Sequence, residues 1–491
     1  MLFLLTSRCN RTTKGFCSDV IQRGGKTAED SKSAPAASST SSCSKSVPHP
    51  STRYGGDSGR QSGDSWPYAL RLGLGILMTI NFIVFWAIPI FGMGASWHHA
   101  LKPVLQPIYN WMERHPKLRD FASKYIYQRP IHADYFAQSI LVLLSWVLPF
   151  GYCVIQQRLN GTLSWWQVYF YYCMWVGIRG GTLGGAYSLA HREGHNPNFY
   201  KPAIANSVGN LFENLLGPFF GNVPYNFSTS HIYLHHFLQA GSQDSFYQFD
   251  MDRTSWKDFM VFLHRITLHC LGISSVLIMY RRGLGEQWKK LARGMVSYLI
   301  VYPLAIYLLT GSWSFVFFMY VQPFIGMTFF LSFMNFAFHA FVDYDDEGKP
   351  IGCVNSTCIV DGNDDYFGED DHMAHHYATH VYWRDLPEYR KTKVEEFKKY
   401  NAMVFHTVSI VELAILILFK QWERLADFYV QFNDEPAKEG RLSEEELIKQ
   451  GSVDLTGTTT PSVWVNTGKL SRAEVIAMLK SRAIRREPID V

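Results

Sequence analysis

Cysteine is scarce and scattered: eight residues in a chain of 491, with no CxxC pair. This spacing excludes a disulfide framework and a thiolate zinc site. Only Cys353 and Cys358 lie close together, and the cysteines read as free, structural thiols. No GxGxxG fingerprint is present, which excludes a flavin held in a dinucleotide-binding fold. The formal charge is only +4, too small to argue for a nucleic-acid partner. Glu-x2-His occurs once, at Glu369-x2-His372, whereas a carboxylate-rich site in a helix bundle needs two. Asp343–Gly348 begins like a calcium loop, but position twelve would be Val354 rather than Glu, so that reading fails.

Charge is also absent from long stretches. Leu72–Gly94 carries none over 23 residues and Ala137–Ile155 none over 19. At 1.5 Å per residue, either run as helix crosses a hydrocarbon core of about 30 Å. Met295–Phe338 holds no charge over 44 residues. That is twice the length of one crossing, so it must turn back, and Thr310-Gly311-Ser312 is the expected turn. The aromatic content of 15 % suits interfacial Trp and Tyr. The loop between the first two runs holds six Lys/Arg before Asp134 against Glu113 and Asp120, which places it on the cytoplasmic side. A sequon at Asn160-Gly-Thr162 suits the opposite side. A third helix from Trp165 is expected to continue through Arg179 toward His191, with Gly181-x3-Gly185 available for close packing. Thr254–Tyr280 reads as an amphipathic helix on the membrane surface, and Ala402–Phe419 as a last apolar helix, lying on the surface or re-entrant. Residues 1–65 are polar and expected to be disordered, with a transit peptide as a minority reading. Residues 66–420 form the expected membrane domain and 421–491 a soluble tail. In that tail Ser443-x2-Glu446 and Ser471-x2-Glu474 start helices. The fold class is an all-α integral membrane protein, with transmembrane helices and a cytoplasmic helical domain that carries the histidines.

Half of the 18 histidines fall in four boxes: His191-x3-His195, His231-x3-His235-His236, Asn335-x3-His339 and His372-x2-His375-His376. Histidines at i and i+4 on a helix share a face, so each box can offer imidazoles to one point. Imidazole suits iron, zinc and copper. Nine are too many for one tetrahedral zinc. They suit two octahedral-like metals with open positions for oxygen, and two irons held mainly by imidazole remain. The topology puts all four boxes on one membrane side, where charge-capable groups mark function. Glu193, Asp370 and Asp371 are expected to accept the second ring N–H of the ligands. His264 and His269, five apart, are expected at the interface and not at the metals.

The order and spacing of the boxes resemble the membrane fatty-acid desaturase/hydroxylase superfamily of non-haem di-iron proteins, over roughly residues 66–420. The resemblance implies that His339 is a metal ligand and that Asn335 holds a water on the metal. The two x3 boxes are similar to those of alkane monooxygenases. The second box differs from the H-x2-HH of sterol desaturases, and no HPGG of a fused cytochrome b5 is present. The context NVPYNFSTSHIYLHH resembles the alternative squalene epoxidase of this superfamily. The resemblance thus implies an O2-dependent oxidation of a lipid in the endoplasmic reticulum membrane, with two iron ions. Epoxidation of squalene to 2,3-epoxysqualene is the first reading and fatty-acyl desaturation or hydroxylation the alternative. A His-rich membrane metal transporter or receptor is a third reading. It is disfavoured because the boxes follow the apolar runs and do not interrupt them. An external donor such as cytochrome b5 or an NADPH-dependent reductase would supply electrons.

Overall fold

The computed structural model describes residues 66–485, apart from 239, 363–364, 433–439, 442–461 and 464–469. The disorder and transit-peptide readings of residues 1–65, and the capping pair at Ser443 and Glu446, therefore lie outside the described residues.

The chain builds mostly helices. Helix α1 is Tyr68–Phe85 and α2 is Gly94–Arg114. The second occupies much of the stretch expected as a basic loop. Helix α3 is Phe136–Asn160 and α4 is Trp165–Val176. Among the described residues, four helical segments are long and apolar enough to cross a membrane: Tyr68–Phe85, Pro130–Asn160, Gly285–Thr310 and Trp313–Phe338. Leu77, Ile83, Leu148, Ile300 and Leu308 on these segments are exposed. In water such an apolar belt would drive association; against lipid tails it costs nothing.

Two pairs of helix ends meet. The Tyr169 hydroxyl near the start of α4 donates to Val84 O at the end of α1, 2.9 Å away. Gly311, left-handed at φ 71°, makes the hairpin turn beside Arg158 near the end of α3. Ser312 then caps the returning helix by accepting from Phe315 N. The expected turn is therefore where the chain reverses.

The helix carrying the first box is not continuous with α4. Gly177 and Gly180 are left-handed, and a side chain at Gly177 would collide with Thr182. Helix α5, Gly181–His195, starts afresh and is buried along nearly its whole length. Glycine is what lets it in. The Tyr366 ring lies 2.6 Å from where a Cβ on Gly184 would sit, and Gln138 of α3 fills the space at Gly185. The Gln138 amide donates to Gly181 O at 2.8 Å, satisfying a buried polar group of a spanning helix.

Helix α6, Trp256–Cys270, and α7, Ile273–Arg281, meet at a 71° bend on left-handed Gly272. The expected surface helix is instead a packed one. Phe259, Phe262, Leu263 and Ile266 are buried, and Gly75 of α1 has no room for a side chain against Met260. Of its charged residues, Arg265 is buried and donates to Asp250 at 2.8 and 2.7 Å. Helix α8 is Gly285–Val296, α9 Tyr302–Thr310 and α10 Gln322–Phe338. Beyond α10, the strand β1, Cys358–Val360, precedes the short helix α11, His372–Tyr377. The expected helix at Ala402–Phe419 is shorter. Val404–His406 is a strand, β2, parallel to β1, and helix α12 runs only over Ile410–Leu418. Thr407 takes φ 53°, which a helix cannot contain, and Ser409 caps α12. Nine residues are too few to cross a bilayer. Helix α13 is Trp422–Phe428, and the last, α14, is Arg472–Ile484, which starts at the expected Ser471–Glu474 capping box.

Candidate metal centre

The four boxes arrive on four elements and divide into two groups. His191, His195, His231, His236 and His375 form one; His235, His339, His372 and His376 form the other. Within each group one nitrogen per residue lies within 4.8 Å of every other. The boxes do not map onto the groups one to one, and local helix geometry explains why.

Box 1 lies on α5, where residues four apart share a face, and the His191 and His195 Nε2 atoms are 3.0 Å apart. Box 2 lies on a π-helix, Phe227–His235, whose His236 N–H bonds to His231 O, five residues back. The wider turn aligns i with i+5. His231 and His236 therefore face the first group together, Nε2 to Nε2 2.9 Å, while His235 turns to the second. The i, i+4 expectation for His231 and His235 is corrected by this winding. In α11, His372 and His376 share a face and stand 3.1 Å apart, and the intervening His375 turns toward the first group, 3.2 Å from His191 and 3.1 Å from His236. His339 comes directly after the last residue of α10 and meets His372 at 3.1 Å. The second box and the His372-x2-His375-His376 box thus each supply both groups.

These spacings fit metals. Two imidazole nitrogens at right angles around an ion about 2.1 Å from each would lie about 3.0 Å apart. Neutral ring nitrogens gathered this closely, lone pair toward lone pair, repel unless a cation or shared protons sit between them. Burial and the neighbouring rings hold His195, His231, His236, His372, His375 and His376 well below the ordinary imidazole value, and burial takes His339 down to about 3. These seven rings are therefore held toward the neutral form, the form that binds metal.

Three rings are oriented from behind. His191 Nδ1 lies 2.8 and 2.9 Å from the Glu369 carboxylate oxygens. His235 Nδ1 lies 2.8 Å from Asp244 Oδ2, and His339 Nδ1 lies 2.8 Å from Asn355 O. Each contact fixes the tautomer that leaves Nε2 free for metal. Glu193 and Asp371, expected in this role together with Asp370, do other work. Glu193 accepts from Tyr200 and from the N–H groups of Phe212 and Glu213. Glu213 in turn accepts from Ser228 N, 2.7 Å away, at the start of the π-helix. This pair of carboxylates ties box 1 to box 2. Asp371 is paired with buried Arg390, and the Asp370 carbonyl accepts from Ile359 N. Glu369 was visible in the sequence as Glu369-x2-His372. Asp244 had no such signal, since it lies in an irregular segment without periodicity.

Asn335 lies one turn before His339 on α10, and its amide nitrogen donates to Leu331 O at 2.9 Å. His264 and His269 belong to neither group. Both are buried: His264 packs on Trp66 with ring centroids 5.0 Å apart, and His269 meets Ser245 and Ser275. A pocket lined by His339, Asn355, Ser356, Met373, His376 and Tyr377 opens onto the second group.

The family model described as fatty acid desaturase matches residues 163–408, half of the chain. The matched span contains all nine box histidines, with Glu369 and Asp244. No curated protein and no solved structure matches the chain.

Proposed function

The chain belongs to the fatty acid desaturase family, and from that premise we propose that it is a di-iron enzyme that desaturates or hydroxylates a fatty acyl chain. It is a membrane protein and an O2-dependent oxidoreductase acting on lipid. The division of nine imidazoles into two groups of metal-ligand spacing carries the proposal. The donor set fits iron, because imidazole suits it and neither group holds a thiolate. His191, His195, His231, His236 and His375 would hold one ion; His235, His339, His372 and His376, with a water carried by Asn335, the other. Bound there, the irons would supply activation of dioxygen against an unactivated C–H bond.

The protein's own residues supply the rest. Glu369 and Asp244 keep the ligand tautomers, and the apolar helices deliver a chain that does not leave the bilayer. For desaturation the balance is one saturated CH2–CH2 unit, one O2, two electrons and two protons to one CH=CH unit and two waters. The electrons come from a separate carrier. Lys117, Arg119, Lys124 and Arg129 flank the cytoplasmic side in this reading and would steer an acidic carrier such as cytochrome b5. The endoplasmic reticulum is the proposed location, with the boxes facing the cytoplasm. Squalene epoxidation rests on sequence context alone, and the family match favours the acyl reading over it.

The test is lipid analysis of host cells that lack their own desaturase, beside cells that lack their own squalene epoxidase. New double bonds or hydroxyls in acyl chains, abolished by His235→Ala and kept by His264→Ala, are expected. Growth of the second strain with epoxysqualene and unchanged acyl chains would move the substrate to squalene.

A further inference from the structure

We infer that the C-terminal helix α14 belongs to the framework of the metal site, with Arg482 as a positioning residue for His339. The inference rests on the two-metal reading above. His339 is the first residue past α10, so helical hydrogen bonding no longer fixes the backbone beyond it. Its ring is oriented by Asn355 O, and the Asn355 side chain also accepts from Asp343 N at 3.2 Å. The course of residues 340–343 is therefore coupled to the ligand, and α14 holds that course.

Eight contacts show it. Val342 N donates to Arg482 O at 3.2 Å. The Arg482 guanidinium meets Asp343 Oδ2 at 3.2 Å and donates to the carbonyls of Asn401 and Tyr400 at 2.7 and 2.8 Å. Arg253, fully buried, donates from Nε to Ala340 O at 3.0 Å and from Nη2 to Arg482 O at 2.9 Å. Arg253 N donates to Ala483 O at 3.2 Å. Arg485 adds a second cation on Asp343. Two buried guanidiniums are unfavourable unless their donors are met, and here the Nε of each goes to the segment just after a ligand, Arg253 to Ala340 O and Arg482 to Asp343. Val475, Leu479 and Ala483 bury the apolar face of the helix, so α14 is docked and not a trailing tail.

The experiment uses the full chain, purified after growth with iron, as wild type, His339→Ala, Arg482→Ala and Arg482→Lys. Metal per chain and the Mössbauer spectrum are measured without reference to turnover. His339→Ala marks loss of the second-group metal. Arg482→Ala is expected to lose the same spectral component and keep the other, and Arg482→Lys, which retains a cation for Asp343, to recover part of it. Arg482→Ala with both components intact overturns the inference, as does equal loss of both, which would make the arginine a support of the whole fold. If Arg482→Ala does not fold, Asp343→Asn takes its place: selective loss supports the inference and an unchanged spectrum overturns it. A wild-type chain with a single metal overturns the two-metal reading, and this inference with it; the other outcomes overturn the inference alone.

Discussion

At the residue scale, the ligands are only as good as the groups behind them. The Glu369 and Asp244 carboxylates touch ligand rings from the side away from the metal. Replacing either leaves a ring free to turn or to take the other tautomer. Glu369→Gln and Asp244→Asn are each expected to weaken metal binding about 10- to 100-fold, the usual cost of losing such a partner. The amide keeps the shape, so a change in overall stability is not expected to be large. Titration of the metal-free protein with ferrous ion measures it. Affinity unchanged in Asp244→Asn would show that the His235 tautomer is set by something else.

At the scale of elements, the π-helix decides how box 2 is shared. An α-helix over Phe227–His236 would put His231 beside His235 and turn His236 away. The five-residue winding does the reverse, and it gives the first group five imidazoles and the second its His235. Deleting Thr229 or Ser230 would let the segment relax to α-helical winding. Such a deletion is expected to lose metal from both groups, because His236 leaves one and His235 the other. Metal analysis of the folded deletion variant checks this; retention of the full metal content would mean that the winding is not what shares the box.

At the scale of the molecule, we propose that the boxes lie on one membrane side and the Asn160 loop with the Gly311 turn on the other. The proposed orientation faces the boxes to the cytoplasm. A cysteine in place of Asn196, next to the first box, is expected to react with an impermeant maleimide in sealed, cytoplasm-side-out vesicles. One in place of Thr162 is expected to react only after permeabilisation. The opposite labelling pattern would invert the topology and put the electron carrier on the wrong side.

Much of this was legible in the chain alone. Uncharged runs fix where the spans lie, because lipid excludes charge and length sets crossing. Gly311 and Ser312 mark the hairpin turn through local backbone chemistry, and histidine spacing marks the metal chemistry. Other features needed the folded chain. The break at Gly177, the packed course of α6 and the strand at Val404–His406 depend on what presses against them. The sorting of nine histidines into five and four depends on a π-winding that no residue spacing announces. Asp244 and the C-terminal helix reach the site from distant stretches of sequence. Sequence periodicity reports what a segment does along its own axis; which remote carboxylate or arginine meets a given ligand is set by packing between segments, and only the tertiary structure decides that.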